Sequence, residues 1–131
     1  MYNQKVMEIL QNPQNVGMLR GANAIGRADS DACSDIVKFY LNIEDGKVVE
    51  AKFKTFGGAT LIAVCSITTQ MILGMTVEEL LQFNINNVLS ELGQLAPQKD
   101  YCLNLSSQAL VNAVEDYYKR LEREAKKNNN E

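Results

Sequence analysis

The sequence predicts one α+β domain: a small antiparallel β-sheet packed against helices, with a long helix at the C-terminus. Three observations carry this. Residues 36–56 alternate β-branched and aromatic residues with polar ones on either side of Asp45-Gly46. An almost wholly apolar run, Ala59 to Leu73, follows the pair Gly57-Gly58. Near the end, Leu110, Val114, Tyr117 and Leu121 fall at helical spacing. A chain of 131 residues, 46% hydrophobic and 22% charged, is long enough to bury one core. Residues 1–125 are expected to form this domain and 126–131 a disordered tail.

The elements follow in order. Tyr2 to Leu10 reads as a short amphipathic helix that stops before Asn12-Pro13, because the residue ahead of proline avoids the α region. A Gly- and Asn-rich stretch follows, with one weak strand around Asn23 to Ala28. In the first strand of the hairpin, Val37, Phe39, Leu41 and Ile43 alternate with Ile36, Lys38, Tyr40 and Asn42. Asp45-Gly46 supplies the positive-φ turn. The return strand sets Val49, Ala51, Phe53 and Thr55 against Glu50, Lys52, Lys54 and Phe56. The Ala59 to Leu73 helix is apolar around much of its circumference, so burial on most sides is expected. Thr76 caps a short helix, with Glu79 in the capping-box position. Asn86 to Leu92 makes another short helix ended by Gly93, and Gln94 to Asp100 a proline-containing loop. Ser106 or Ser107 is expected to cap the last helix.

Composition narrows the function classes. Thirteen basic residues against sixteen acidic ones give a net charge of -3, without the basic excess of a nucleic-acid binder. No run approaches the roughly 20 apolar residues that span a bilayer, and the N-terminus lacks the pattern of a signal peptide. Three cysteines without a secretion signal fit a reducing compartment, and the cytoplasm is the expected location. The chain has no histidine, which removes the commonest general base and neutral metal ligand. No Cys–His pair is available, so catalysis is not expected.

The cysteines are too far apart in sequence for a local C-x-x-C clip. Cys33 lies in a polar loop among Asp29, Asp31 and Asp35, and Cys102 between the proline loop and the last helix. Both are expected at loop positions, where ligands usually sit. Cys65 has apolar neighbours on its helix and is expected to be a small buried hydrophobe.

The residues carry a resemblance. Asn12-Pro13-x-Asn15-Val16-Gly17, then Ala32-Cys33-Ser34-Asp35, Ala51-Lys52-Phe53-Lys54-Thr55-Phe56-Gly57, Lys99-x-x-Cys102 and Leu105 with Ala109 resemble the U-type iron–sulfur cluster assembly scaffolds. These are the IscU proteins and the N-terminal domain of NifU. The likeness spans about residues 2–121. It implies a platform that takes sulfur from a cysteine desulfurase, takes iron, assembles a [2Fe–2S] unit and passes it to acceptor proteins. By position, Cys33 matches the first cysteine of that site, Asp35 the aspartate, Cys102 the last cysteine and Lys99 a nearby lysine. Leu95-Ala96-Pro97-Gln98-Lys99 resembles the segment such scaffolds offer to an Hsp70-type chaperone.

Two positions depart from the pattern. Gly58 stands where the family has its second cysteine, and Tyr101 where it has a histidine. Cys65 comes seven residues after Gly58, about 10 Å along a helix, too far to replace a ligand bond of about 2.3 Å. A [2Fe–2S] cluster normally needs four ligands, mostly thiolates, and a phenol is largely protonated near neutrality. A stable cluster on one monomer is therefore not expected. Three readings stay open: a single iron or zinc ion on Cys33, Asp35 and Cys102; a transient cluster completed by a second subunit, a partner or small thiols; or a degenerate interaction or regulatory protein holding no cluster. Gly58 has two readings of its own. Its helix N-terminus could favour a thiolate or persulfide nearby, or the glycine could simply ease the strand-to-helix turn.

Overall fold

Asp45 (φ 52°) and Gly46 (φ 75°) both take left-handed conformations, the turn whose twist matches two antiparallel strands. In this computed structural model, which describes residues 3–31 and 34–129, the turn joins β2 (Ile36–Glu44) to β3 (Lys47–Phe56). β1 (Ala24–Asp29) pairs antiparallel with β2, giving the order β1-β2-β3. As the alternation predicts, Val37, Phe39, Leu41 and Ile43 face the core. Ala24 and Ala28 of β1 and Ala51 and Phe53 of β3 join them.

The return strand departs from strict alternation. Asn42 lies opposite Glu50, but Ile43 lies opposite Val48, so Val49 is an extra residue in a β-bulge. Val48 turns into the core and Val49 is 44% exposed, which corrects the inward placement of Val49. The bulge comes where the strand edge is tied to the chain after the apolar helix. Val48 N–H donates to Met75 O (2.9 Å), and Gly74 N–H donates to Val48 O (2.8 Å).

Helix α1 (Gln4–Gln11) is capped by the Asn3 side chain. Helix α2 (Ala59–Met71) is buried on most sides. Helix α3 (Val77–Leu81) has the complete Thr76/Glu79 capping box. The expected Asn86 to Leu92 helix is a 3₁₀ turn, Ile85–Val88, that runs into α4 (Leu89–Leu92). A second 3₁₀ turn, Pro97–Lys99, leads into α5 (Tyr101–Asn129), in which residues 126–128 are exposed. Among the described residues no helix is long and apolar enough to cross a membrane.

The start of α5 is the main correction. Ser106 does not cap it; the helix is already a turn and a half old there, and Ser106 is fully buried. Cys102 therefore lies in the first turn of a helix, 1% exposed, rather than in an open loop. The physical reason is a seam of small residues. Cys102, Ser106, Ala109 and Ala113 recur at helical spacing and are all buried, yet their types read as linker when only large apolar residues are followed.

Both sheet edges are covered, which removes the exposed ladder groups that invite aggregation. On the β1 side α5 supplies side chains: Ile25 N–H donates to Asp116 Oδ2 (2.8 Å), and Asn112 Nδ2 donates to Arg27 O (2.7 Å). On the β3 side Phe53 exchanges backbone hydrogen bonds with Asn15 and Gly17. α5 is thus tied to the sheet at Asn112 and Asp116, which places its first turn at one end of the domain.

Candidate functional site

Asp35 is positioned by the short loop between β1 and β2. Ser30 N–H donates to Asp35 O (2.8 Å) and Ser34 N–H to Ser30 O (3.0 Å), with Ser34 in a left-handed conformation (φ 59°). The Asp35 carboxylate, in a residue 8% exposed, accepts a hydrogen bond from the Tyr101 hydroxyl at 2.7 Å. The end of β3 forms a wall beside it. A methyl group on Gly57 would lie 3.1 Å from Asp35 Cγ and 2.7 Å from Leu61 Cδ2. Gly58 follows as the N-cap of α2, with φ -81° and open space where a side chain would project. The fold therefore gathers Asp35, Gly57-Gly58, Tyr101 and Cys102 at one end of the domain. Cys33, the first predicted ligand, lies outside the described residues.

The chemistry of this end is acidic and protonated at once. The Asp35 carboxylate, followed by partial burial and the neighbouring Cys102, pushes the Tyr101 phenol well above the ordinary tyrosine range. Tyr101 stays a neutral donor at physiological pH, so it ties one carboxylate oxygen of Asp35 and offers no anionic ligand. Two shallow clefts flank the pair. One of about 330 Å³ is lined by Asp29, Ser30, Asp31, Ser34 and Asp35, the other of about 290 Å³ by Ser30, Tyr101, Asn104 and Gln108 among others. Asp29 is already paired with Arg27 at 2.8 Å, which holds its carboxyl below the usual range.

Removing the phenol tests this pairing. Tyr101→Phe strands a buried carboxylate and is expected to cost about 1–3 kcal/mol of stability in urea unfolding. Because the folded pKa of Tyr101 is raised, its stabilisation is fully present below the unfolded value of about 10 and fades only as pH rises through the folded value. The gap between the two proteins should stay constant through neutrality and narrow only in alkali. Equal stabilities at pH 7 would show that the hydrogen bond carries no net energy.

Cys65 is fully buried, as its neighbours predict, with Sγ 3.6 Å from Ser106 Oγ. Burial pushes its thiol up to about 12; Ser106 opposes this slightly, and Cys102 adds to it. A thiol so protonated and enclosed is inert. Iodoacetamide at mildly alkaline pH should spare Cys65 in the native protein and label it in guanidinium, as read by peptide mass spectrometry. Native-state labelling would show an access route the packing does not contain.

Lys99 and Pro97 belong to the 3₁₀ turn just before α5. Lys99 lines a cleft of about 380 Å³ with Asn3, Val6, Thr60, Leu95 and Gln98. By sequence Tyr101 only fills the place of a histidine; its bond to Asp35 joins residues 66 apart and no local pattern announces it.

A family model described as the NifU-like N terminal domain matches residues 1–124. The chain belongs to that family. It is 38% identical over 120 residues to two proteins of Archaeoglobus fulgidus named iron-sulfur cluster assembly scaffold proteins IscU 1 and IscU 2, covering 92% of this chain and 78% of each relative. The Aquifex aeolicus protein named iron-sulfur cluster assembly scaffold protein IscU is 38% identical over 118 residues, covering 88% of this chain and 75% of that one. A relative from Drosophila melanogaster, 35% identical over 121 residues, is named an iron-sulfur cluster assembly enzyme; the match covers 89% of this chain and 78% of that protein. Among solved structures, the N-terminal part of a NifU-like protein from Brucella abortus superposes with a TM-score of 0.70 at 19% identity, over 89% of this chain and 94% of that one. That likeness establishes the shared fold.

Proposed function

We propose that this protein is an iron–sulfur cluster assembly scaffold with a reduced ligand set. In this reading it takes up sulfur and iron as cargo through Cys33, Asp35 and Cys102 and passes them on. The observation that carries it is the meeting of Asp35 with Tyr101, Cys102 and the Gly57-Gly58 corner, in a chain 38% identical to proteins named as such scaffolds. The arrangement suits transfer better than storage. Two thiolates and a carboxylate fall short of the four ligands of a [2Fe–2S] cluster, and Tyr101 holds one oxygen of that carboxylate. A cluster on this chain is therefore transient and completed by a second subunit, a partner or small thiols. A single iron or zinc ion needs no such help. The burial of Cys102 means that its sulfur is reached only when the first turn of α5 yields.

Residues 1–125 act as the scaffold unit in this proposal. Its partners are a cysteine desulfurase, acceptor proteins and an Hsp70-type chaperone that reads Leu95 to Lys99 with Pro97 exposed at its centre. The setting is the cytoplasm. A second reading, an interaction or regulatory protein of the same pathway, is favoured by one observation: Tyr101 closes over the carboxylate that a metal would need.

Anaerobic reconstitution with iron, cysteine and a cysteine desulfurase separates the readings. Visible charge-transfer absorption that disappears in Cys33→Ala and in Cys102→Ala is the expected result. Colourless protein with bound zinc assigns the mononuclear site. If neither metal nor persulfide sulfur is taken up, the scaffold reading fails and co-purification with the desulfurase tests the interaction reading.

A further inference from the structure

A cleft next to the cargo site carries the features of an anion pocket. Its volume of about 380 Å³ lies between the start of α1, the first turn of α2 and the 3₁₀ turn before α5. Pockets for small molecules begin at roughly 300 Å³. Thr60 lines it while only 3% exposed, and its hydroxyl makes no hydrogen bond within the described residues. No enclosed side-chain oxygen among those residues lacks a partner, so this hydroxyl opens onto the cleft. A polar group so nearly enclosed calls for a partner from outside the chain.

The charge around it is positive. Lys99 is the one charged residue of the lining, and among the described residues no carboxylate lies within ion-pair distance of it. Helix α2 starts here with no side-chain cap and no acidic residue in its first turn. Its free N–H groups and positive dipole end therefore stay uncompensated. Val6 and Leu95 add an apolar wall. One ammonium, one hydroxyl and that wall fit a carboxylate on a short aliphatic chain. A second negative charge, as on phosphate, finds no second cation in the lining.

The cleft also borders both positions where the ligand set is short. Thr60 and Gly58 share the first turn of α2, about 3 Å apart along its axis, and Lys99 precedes Tyr101 by two residues. At Gly58 a side chain would meet nothing within 4 Å. We propose that the cleft binds a small carboxylate that also bears a thiol. Its carboxylate lies on the Thr60 hydroxyl and the Lys99 ammonium, and its sulfur enters the open space at Gly58. As a thiolate, that sulfur stands in for the missing cysteine. The role of the sulfur rests on the scaffold reading, whereas the carboxylate site does not.

Mercaptopropionate titrated into the metal-free chain, followed by proton–nitrogen correlation spectra, tests the carboxylate site. Saturable shifts at Thr60 and Lys99 are expected, with butyrate binding at similar strength. Lys99→Gln and Thr60→Val, each shown to fold by circular dichroism, should weaken both acids about tenfold. No saturable binding, unchanged affinity in both variants, or inorganic phosphate displacing the acid at lower concentration overturns the site. For the sulfur, the chain is loaded anaerobically with iron and sulfide and passed through gel filtration. Mercaptopropionate should preserve the colour at a concentration about tenfold below that of mercaptoethanol, which has the thiol and no carboxylate. Butyrate should preserve none, and Gly58→Cys should remove the advantage of the thiol acid. If mercaptoethanol serves equally well, the sulfur does not act from the cleft and the proposal fails. If the metal-free chain binds the acid but no thiol yields colour, the scaffold reading fails and the sulfur's role with it, while the carboxylate site stands.

Discussion

On the proposed scaffold reading, Gly58→Cys combined with Tyr101→His should give a chain that, once loaded with iron and sulfide, keeps its colour through gel filtration. The expected gain in cluster retention is at least about 10–100-fold, which is what losing even a supporting partner of a metal ligand costs. The backbone at Gly58 already suits the change. Its φ of -81° is open to any residue, and a Cβ there meets nothing within 4 Å. The new thiol would stand at the N-terminus of α2, where the unpaired N–H groups and helix dipole favour a thiolate. Histidine at 101 exchanges a phenol held in its neutral form for an imidazole that ligates metal near neutrality. The neighbouring glycine provides the control. A side chain at Gly57 would run into Leu61 and Asp35, so Gly57→Cys should disturb the site without completing it. If the double variant releases iron as fast as the natural chain, the missing ligands are not what limits retention, and the burial of Cys102 becomes the better explanation.

What the sequence made legible was local. The Asp45-Gly46 turn, the Thr76/Glu79 capping box, the alternation of Val37 to Ile43 and the burial of Cys65 each depend on near neighbours, and each stands in the structure. What escaped depended on packing between distant segments. The α5 start was misplaced by six or seven residues because Cys102, Ser106, Ala109 and Ala113 are small, and their helical period is visible only against the surface they meet. Val49 breaks the alternation at a bulge where Val48 N–H donates to Met75 O and Gly74 N–H donates to Val48 O. Asp35 and Tyr101 were both singled out as site positions, one as a ligand and the other as a gap in the ligand set. Their hydrogen bond makes them a single unit, and it is a product of the fold.

The largest effect on stability is expected at a residue whose only sequence signal was membership of a glycine-rich stretch. Gly26 sits in β1 opposite Phe39, on the face that meets α5. A Cβ there would overlap the main chain of Ala109 and Ala113 and come within 2.8 Å of Ala113 Cα. Strand and helix therefore touch backbone to backbone, with alanines on one side and no side chain on the other. Gly26→Ala should lower the urea midpoint by the equivalent of about 3 kcal/mol or more, because the helix must move rather than a flexible side chain. Shaving the helix to Ala109→Gly or Ala113→Gly should not rescue it, since the overlapping atoms belong to the main chain. In contrast, Gly58→Ala, at a position of ordinary φ and open space, should be neutral or stabilising by about 0.4–1 kcal/mol. The consequence reaches the site: Cys102 and Tyr101 ride on the first turn of α5, so a helix displaced at Ala109 withdraws the Tyr101 hydroxyl from Asp35. Metal uptake and stability should then fall together in Gly26→Ala. A variant as stable as the natural chain would show that β1 and α5 do not make the close approach on which the placement of Tyr101 and Cys102 depends.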